Sequence, residues 1–182
     1  MAAPPSATFR DPKATILAIL DDNRLMSLAT IRPDGWPQVT MVGYAHDDLT
    51  LYCMVGLSSQ KLENIARDSR VSIAIGHDAP NRLQGLSMSG RAVQVTDFAE
   101  IQRLNTVIAA RYPEEAVFAP REASCAILRI APRLISLIDA AGGAGLPQLL
   151  ETVSECHVHP IDAARAAELM HDGPGAPVRG LR

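Results

Sequence analysis

Residues 24–55 read RLMSLATI, RPDGWPQ, VTMVGYA, HDD and LTLYCMV in succession. Three runs rich in β-branched and apolar residues are separated by two polar turns, and the first turn carries Asp34-Gly35. An Asp-Gly pair between such runs is a hairpin signal, because glycine takes the positive φ that a tight turn demands. The spacing predicts three strands of one antiparallel meander. No helical pattern separates them, which argues against a doubly wound parallel sheet, where nearly every strand is followed by a helix.

Outward from this core, the stretch 55–75 reads VGLSSQKLENIARDSRVSIAI. Ser58 or Ser59 caps a short amphipathic helix with Leu62, Ile65 and Ala66 on its inner face, and RVSIAIG is a fourth strand. HDAPNRLQ (77–84) reads as a polar loop. GLSMSGRAVQVT (85–96) reads as a long fifth strand interrupted at Gly90, where a bulge or bend helps a barrel close. Asp97 with Glu100 has capping-box spacing and opens a surface helix over FAEIQRLNTVIAARY (98–112). SCAILRIAPRLISLID (124–139) is the sixth strand region, with Pro132 expected at an edge or a break. Upstream, Asp11 and Pro12 form a cap and first-turn proline for the helix KATILAILDDN.

These signals predict a mainly β chain with peripheral helices, in which six antiparallel strands make a small closed or half-closed barrel. Residues 1–10 are expected to be a flexible tail and residues 11–140 the barrel domain. After the turn AAGGAG, residues 141–182 are expected to form a C-terminal extension with short helices.

The 182 residues suffice for one domain with a substantial core. The formal net charge is −3, and no basic run with interleaved aromatics is present, which disfavours nucleic-acid binding. No segment is apolar enough over enough length to span a bilayer. Pro and Arg in MAAPPSATFRDPK stand where a secretory signal needs an apolar stretch. Cys53, Cys125 and Cys156 are odd in number and widely spaced, as expected of reduced thiols in the cytoplasm.

The start of the helix capped by Ser58 or Ser59 concentrates chemistry. A helix start offers free N–H donors and partial positive charge, the serine hydroxyls add neutral donors, and Lys61 adds a full charge, which together suit a phosphate. The plain alternative is a capped helix with a solvated lysine. Trp36, just past the hairpin glycine, is a candidate for packing across a dimer or over a cofactor. His157 and His159 have strand spacing for a metal but lack further ligands at useful distance and are taken as surface residues. Arg91 reads as an ordinary exposed strand arginine, with phosphate contact as the alternative.

The order of signals resembles the pyridoxamine 5'-phosphate oxidase-like family of flavin-binding split barrels. The residues that carry it are the stretch from MSLATI to VSIAI, then LSMSGRAVQV and ILRIAPRLISLID, about residues 12–140. The hairpin RPDGWP, the Ser-x-Lys helix with its later Asn-Ile, and the Arg-Val opening the fourth strand are all present. The resemblance implies a homodimeric split barrel with FMN at the subunit interface. It implies backbone contacts to the flavin ring from Thr40, Met41 and Val42, contacts from Tyr52 and Cys53, and phosphate contacts from Ser59, Gln60 and Lys61. Gln84 stands within one position of a ring-contacting glutamine of the family. Thr40, Ala45 and Gln60, however, stand where pyridoxamine phosphate oxidases usually carry cations. Their arginine-rich C-terminal segment is also not recognisable in HDGPGAPVRGLR. Oxidation of vitamin B6 is therefore not expected.

The function expected is an FMN-dependent oxidoreductase acting on a small molecule, with the chemistry at the flavin and no catalytic side chain. Two alternatives remain open. One is a non-catalytic flavin- or haem-binding protein, as carrier, sensor or scavenger; the other is a deazaflavin-dependent reductase on the same fold.

Overall fold

The computed structural model describes residues 11–79, 82–113, 124–139 and 147–171. Four helices and nine strands follow one another among them: α1 (Pro12–Asp22), β1 (Leu25–Ile31), β2 (Pro37–Gly43), β3 (Ala45–Asp47), β4 (Thr50–Gly56), α2 (Gln60–Arg67), β5 (Arg70–Ala79), β6 (Arg82–Gln94), α3 (Phe98–Arg111), β7 (Cys125–Asp139), β8 (Gln148–Ser154), β9 (His157–Pro160) and α4 (Ala163–Met170). The strands form one antiparallel sheet in the order β2-β1-β5-β6-β7-β4-β3, with β8 paired to β7 and β9 to β8. No described helix is long and apolar enough to cross a membrane. The tail at residues 1–10 and the AAGGAG turn lie outside the described residues.

Local sequence rules set the element ends. Gly35 adopts φ +84° in the β1–β2 turn, and the Asp34 carboxylate accepts from the Trp36 amide at 3.2 Å. Asp11 accepts from the Ala14 amide at 3.0 Å with Pro12 following, and Asp97 accepts from the Glu100 amide at 2.8 Å. Each side chain satisfies one of the N–H groups that a helix start leaves free.

The second strand of the expected meander is in fact two. β2 pairs with β1 from Ile31↔Pro37 to Leu25↔Gly43, whereas β3 pairs with β4 at Ala45↔Tyr52. The chain changes partner at Tyr44, so the two ends of the sheet path, β2 and β3, are joined by one residue. A residue that leaves one ladder and has not entered the next keeps an unpaired N–H and C=O, which burial makes costly. Tyr112, at the end of α3, resolves this. Its hydroxyl accepts from the Tyr44 amide at 2.7 Å and lies 2.8 Å from the Tyr44 carbonyl and 2.6 Å from the Arg24 carbonyl, with one proton to donate between them. The Tyr44 hydroxyl in turn donates to the Leu20 carbonyl at 2.9 Å. Burial pushes the Tyr44 phenol well above its ordinary range.

Three further departures from the sequence reading concern strand length and number. The stretch expected as a polar loop is mostly ladder, with pairs running out to Ala79↔Arg82, because backbone pairing requires no apolar side chains. β7 runs unbroken through Pro132; its partner on one flank changes from β4 (residues 125–130) to β8 (residues 134–137), and the proline sits in the interval. The C-terminal segment contributes the hairpin β8–β9 as well as α4; with β3 split from the expected second strand, the described strands number nine rather than six.

At Gly90 the expected bulge is present: the register passes from Ser89↔Leu134 to Gly90↔Pro132, leaving Arg133 as the extra residue of β7. A Cβ on Gly90 would meet the Ala131 carbonyl oxygen at 2.4 Å, so the close approach requires glycine there. Side chains from β1, β4, β5, β6 and β7 fill the main core, including Leu28, Leu51, Met88 and Ile130, while a smaller cluster under α3 holds Ala45, Tyr52 and Leu104.

Replacing Tyr112 by Phe keeps the ring and removes the hydroxyl. The variant is expected to lose about 2–3 kcal/mol of stability, the cost of leaving buried backbone groups unsatisfied. Urea unfolding checks this, and a loss near zero would show that the switch at Tyr44 is held by other means.

Candidate functional site

The helix start singled out by the sequence lies where β4 hands over to α2. Ser59 is the cap, its hydroxyl accepting from the Leu62 amide at 3.4 Å and its carbonyl accepting from Leu62 at 3.0 Å. The Gln60 side chain is engaged along its own helix, donating to Glu63 and Asn64 at 3.2 Å each. Lys61 is half-buried, and its ammonium makes no hydrogen bond or ion pair among the described residues. Its charge is felt by the Cys53 thiol in the adjoining core.

A buried polar network fixes α2 against the sheet. Asn64 is fully buried and donates to the Thr30 hydroxyl at 2.9 Å and to the Gln38 side-chain oxygen at 3.1 Å. At the other end of the helix, Arg67 reaches the Arg32 and Pro33 carbonyls of the β1–β2 turn at 2.5 and 3.3 Å. The i, i+4 pair Gln60 and Asn64 was visible in the sequence, but its partners 26 and 34 residues away were not. Two residues beyond Gln38 on the same strand, the Thr40 hydroxyl is buried and has no hydrogen-bond partner among the described residues.

The other residues named from the resemblance fall into separate surroundings. Val42 is half-buried against the main core. Cys53 points into that core, where burial pushes its thiol up to about 12 against the opposing pull of Lys61. Tyr52 turns the opposite way, into the cluster under α3, with the Arg103 guanidinium 6.0 Å from its ring. Burial raises the Tyr52 phenol above its ordinary value.

Met41 is on the outer face of β2 and 62% exposed. It lines a cavity of about 330 Å³ together with Gln84, Ser27 and Leu83. Gln84 is buried and donates to Asp139 at 2.6 Å. The structure thus brings Met41 and Gln84 to the lining of one cavity, and sets the α2 start against the sheet through Asn64. Tyr52 joins neither group.

Arg91 corrects the sequence reading: it is 3% exposed, not a surface strand arginine. Trp36 is 70% exposed at the turn. His157 and His159 are exposed, His157 lying 3.1 Å from the Cys156 sulfur, and no group of three or more metal-binding side chains occurs among the described residues.

A curled antiparallel sheet with a capped helix inserted after β4 defines the class of small β proteins to which the fold belongs. The pyridoxamine 5'-phosphate oxidase family profile matches residues 12–139, and the chain belongs to that family. General stress protein 26 of Bacillus subtilis is 33% identical over 69 residues, which are 38% of this chain and 49% of that protein; the chain spans about half the length of this curated relative. A conserved hypothetical protein of Mycobacterium tuberculosis has a similar structure, with TM-score 0.64 and 27% identity, over 74% of this chain and 87% of that one. The haem storage protein of Vibrio cholerae shares the fold at TM-score 0.58 and 16% identity, over 66% of this chain and 89% of that one.

The three thiols separate cleanly by environment, Cys125 and Cys156 being exposed and Cys53 buried. In the native protein at pH 8, an aromatic disulfide reagent is expected to titrate two thiols rapidly and the third only after denaturation. Because the folded Cys53 thiol titrates above its unfolded value of about 8.5, the stability gained by keeping it neutral is complete below that pH. That stability declines as pH rises toward about 12. Three fast thiols in the native state would contradict this placement.

Proposed function

We propose that the protein is an FMN-dependent oxidoreductase that works as a homodimer on a small molecule. The observation that carries this reading is the α2 start: a half-buried Lys61 residue whose ammonium has no partner among the described residues, beside a serine-capped helix terminus. A phosphate there would meet free backbone donors at the helix start and one full positive charge. The Thr40 hydroxyl on β2 is a further buried polar group without a partner among the described residues. The residues present therefore fit a phosphate-bearing cofactor.

Bound FMN would supply electron-transfer chemistry that no side chain of this protein offers. The protein's own part is to bind and orient. Lys61 and Ser59 would hold the phosphate, and Asn64 would keep α2 fixed to β1 and β2. The backbone of Thr40, Met41 and Val42 would border the ring.

A second reading, a flavin- or haem-binding protein without turnover, is favoured by one specific feature. Ala45, which stands where related oxidases place a lysine, is 2% exposed in the cluster under α3, beside Tyr52 and Leu104. A charged side chain has no place there, and Gln60 is turned along its own helix. The relative from Vibrio cholerae is a haem storage protein, which puts non-catalytic binding within the range of this fold.

The dimer is supported by the outer face of β1, β2 and β6. Leu25, Val39, Met41 and Leu83 are each more than half exposed. The register lays small residues between them, Met41 against Ser27 and Ser27 against Ala74. A face on which exposed apolar side chains stand among small residues buries well against a second copy.

Adding FMN to the purified protein should give a bound flavin spectrum, and Lys61→Gln should weaken binding at least about tenfold, the worth of one charge-assisted hydrogen bond. Deazaflavin and haem, tested in parallel, identify the cofactor if FMN does not bind. Reduction of the bound cofactor by NADH or NADPH separates the enzyme from the binding protein. In sedimentation, Met41→Glu should shift the dimer to monomer; an unchanged dimer would place the interface elsewhere.

A further inference from the structure

β8 and β9 are joined by the short turn Glu155-Cys156, with Ser154 paired to His157 across it. The hairpin gathers three reactive side chains on the surface. The Cys156 sulfur lies 3.1 Å from His157 Nδ1, and the Ser154 hydroxyl lies 3.0 Å from the same nitrogen. Ser154 also accepts from the Cys156 amide at 3.4 Å, and its hydroxyl is 3.6 Å from the sulfur. A nucleophile, a base within hydrogen-bond reach of it and a third group that orients the base are the parts of an activated thiol. Thiol and hydroxyl can each donate or accept, so Nδ1 keeps a partner whether or not it carries the proton.

The surroundings let this thiol meet a partner from solution. Cys156 and His157 are both exposed. The Glu155 carboxylate next to them in the turn, which would oppose a negative sulfur, is paired with Arg129. No third His, Cys, Asp or Glu joins the pair to make a metal site among the described residues. Closure to another cysteine of the same chain is also ruled out by distance. The Leu49 amide, at the start of β4, donates to the Glu155 carbonyl, whereas Cys125 pairs with Gly56 at the far end of β4. The length of that strand, about 20 Å, separates the two exposed thiols, while a disulfide holds its Cα atoms within about 7 Å. Cys53 is buried in the core.

We infer that Cys156 is a thiol–disulfide exchange site for small organic disulfides, with His157 as its base. His157 Nδ1 takes the thiol proton, and the Cys156 sulfur attacks one sulfur of the disulfide. The new sulfur–sulfur bond forms as the bond within the small disulfide breaks. The departing thiolate takes the proton from His157 and leaves as a thiol. Cys156 is thereby oxidised to a mixed disulfide and half of the small molecule is reduced; attack by a second thiol reverses the step. Cys125 provides the comparison within the same molecule: it is exposed like Cys156 but has the Ser124 hydroxyl at 3.9 Å and no imidazole in reach among the described residues. None of these residues is assigned to the flavin site, and the exchange needs no flavin.

The probe is hydroxyethyl disulfide, a neutral reagent, added to the full-length protein at about pH 7, where a thiol without a base is mostly protonated. Peptide mass mapping over time locates each adduct. Cys156 should be modified first, at least about tenfold faster than Cys125, since a positioned base contributes that much or more. His157→Gln keeps a polar side chain at this exposed position; it should slow Cys156 about tenfold and leave the rate at Cys125 unchanged. The loss should shrink at about pH 9.5, where a thiol ionises without a base, whereas a disturbed turn would slow the reaction at both values. Equal rates at the two cysteines, first reaction at Cys125, indifference to His157→Gln, or a loss that persists at the higher pH would overturn the assignment.

Discussion

The structure turns on one buried hydroxyl. Where the chain leaves the β1 ladder and joins the β4 ladder, the Tyr44 backbone has neither partner, and the Tyr112 side chain supplies one from 68 residues away. The same hydroxyl meets the Arg24 carbonyl at the entry to β1. Its neighbour Arg111 reaches the carbonyls of Leu20, Asp21 and Asn23, which the end of α1 leaves without intrahelical partners. Arg24 lies 5.0 Å above the Tyr112 ring. One end of α3 thus secures the exit of α1, the start of β1 and the partner switch of the sheet.

That arrangement gives the molecule its two faces of functional interest. Because β2 and β3 are separated by a single residue, the sheet curls, and α2 packs beside β1 and β2 through Asn64, Thr30 and Gln38. The helix start then stands at the handover from β4, with Lys61 half-withdrawn from water. The outer face of the same strands exposes Leu25, Val39 and Met41 beside the small residues Ser27 and Ala74. A chain that belongs to the pyridoxamine 5'-phosphate oxidase family thereby keeps a serine-capped helix start with one lysine at this corner, even though neutral residues stand at positions 40, 45 and 60.

Much of this was legible in local sequence. Asp34-Gly35, the caps Asp11, Ser59 and Asp97, and the kink at Gly90 each depend on the conformational limits or hydrogen-bonding reach of residues within a few positions. What was not legible has an equally physical cause. The polar run 77–84 supplies much of a ladder because strand pairing is a backbone property once one end is nucleated. The β8–β9 hairpin escaped notice because its turn at Glu155-Cys156 carries no glycine, and QLLETVS alternates only weakly. Arg91 looked exposed because a charged residue on a strand usually is. In the fold it is 3% exposed and hydrogen-bonded to Ser69.

The sequence by itself determined the antiparallel class, the order of elements and the chemistry gathered at the α2 start, since these follow from periodicity, turn residues and capping within short windows. Only the tertiary structure decided which strand edges meet, where Tyr52 and Cys53 point, and that Arg91 is buried. Each of those outcomes is set by contacts between residues distant in the chain, whose free energy no local window contains.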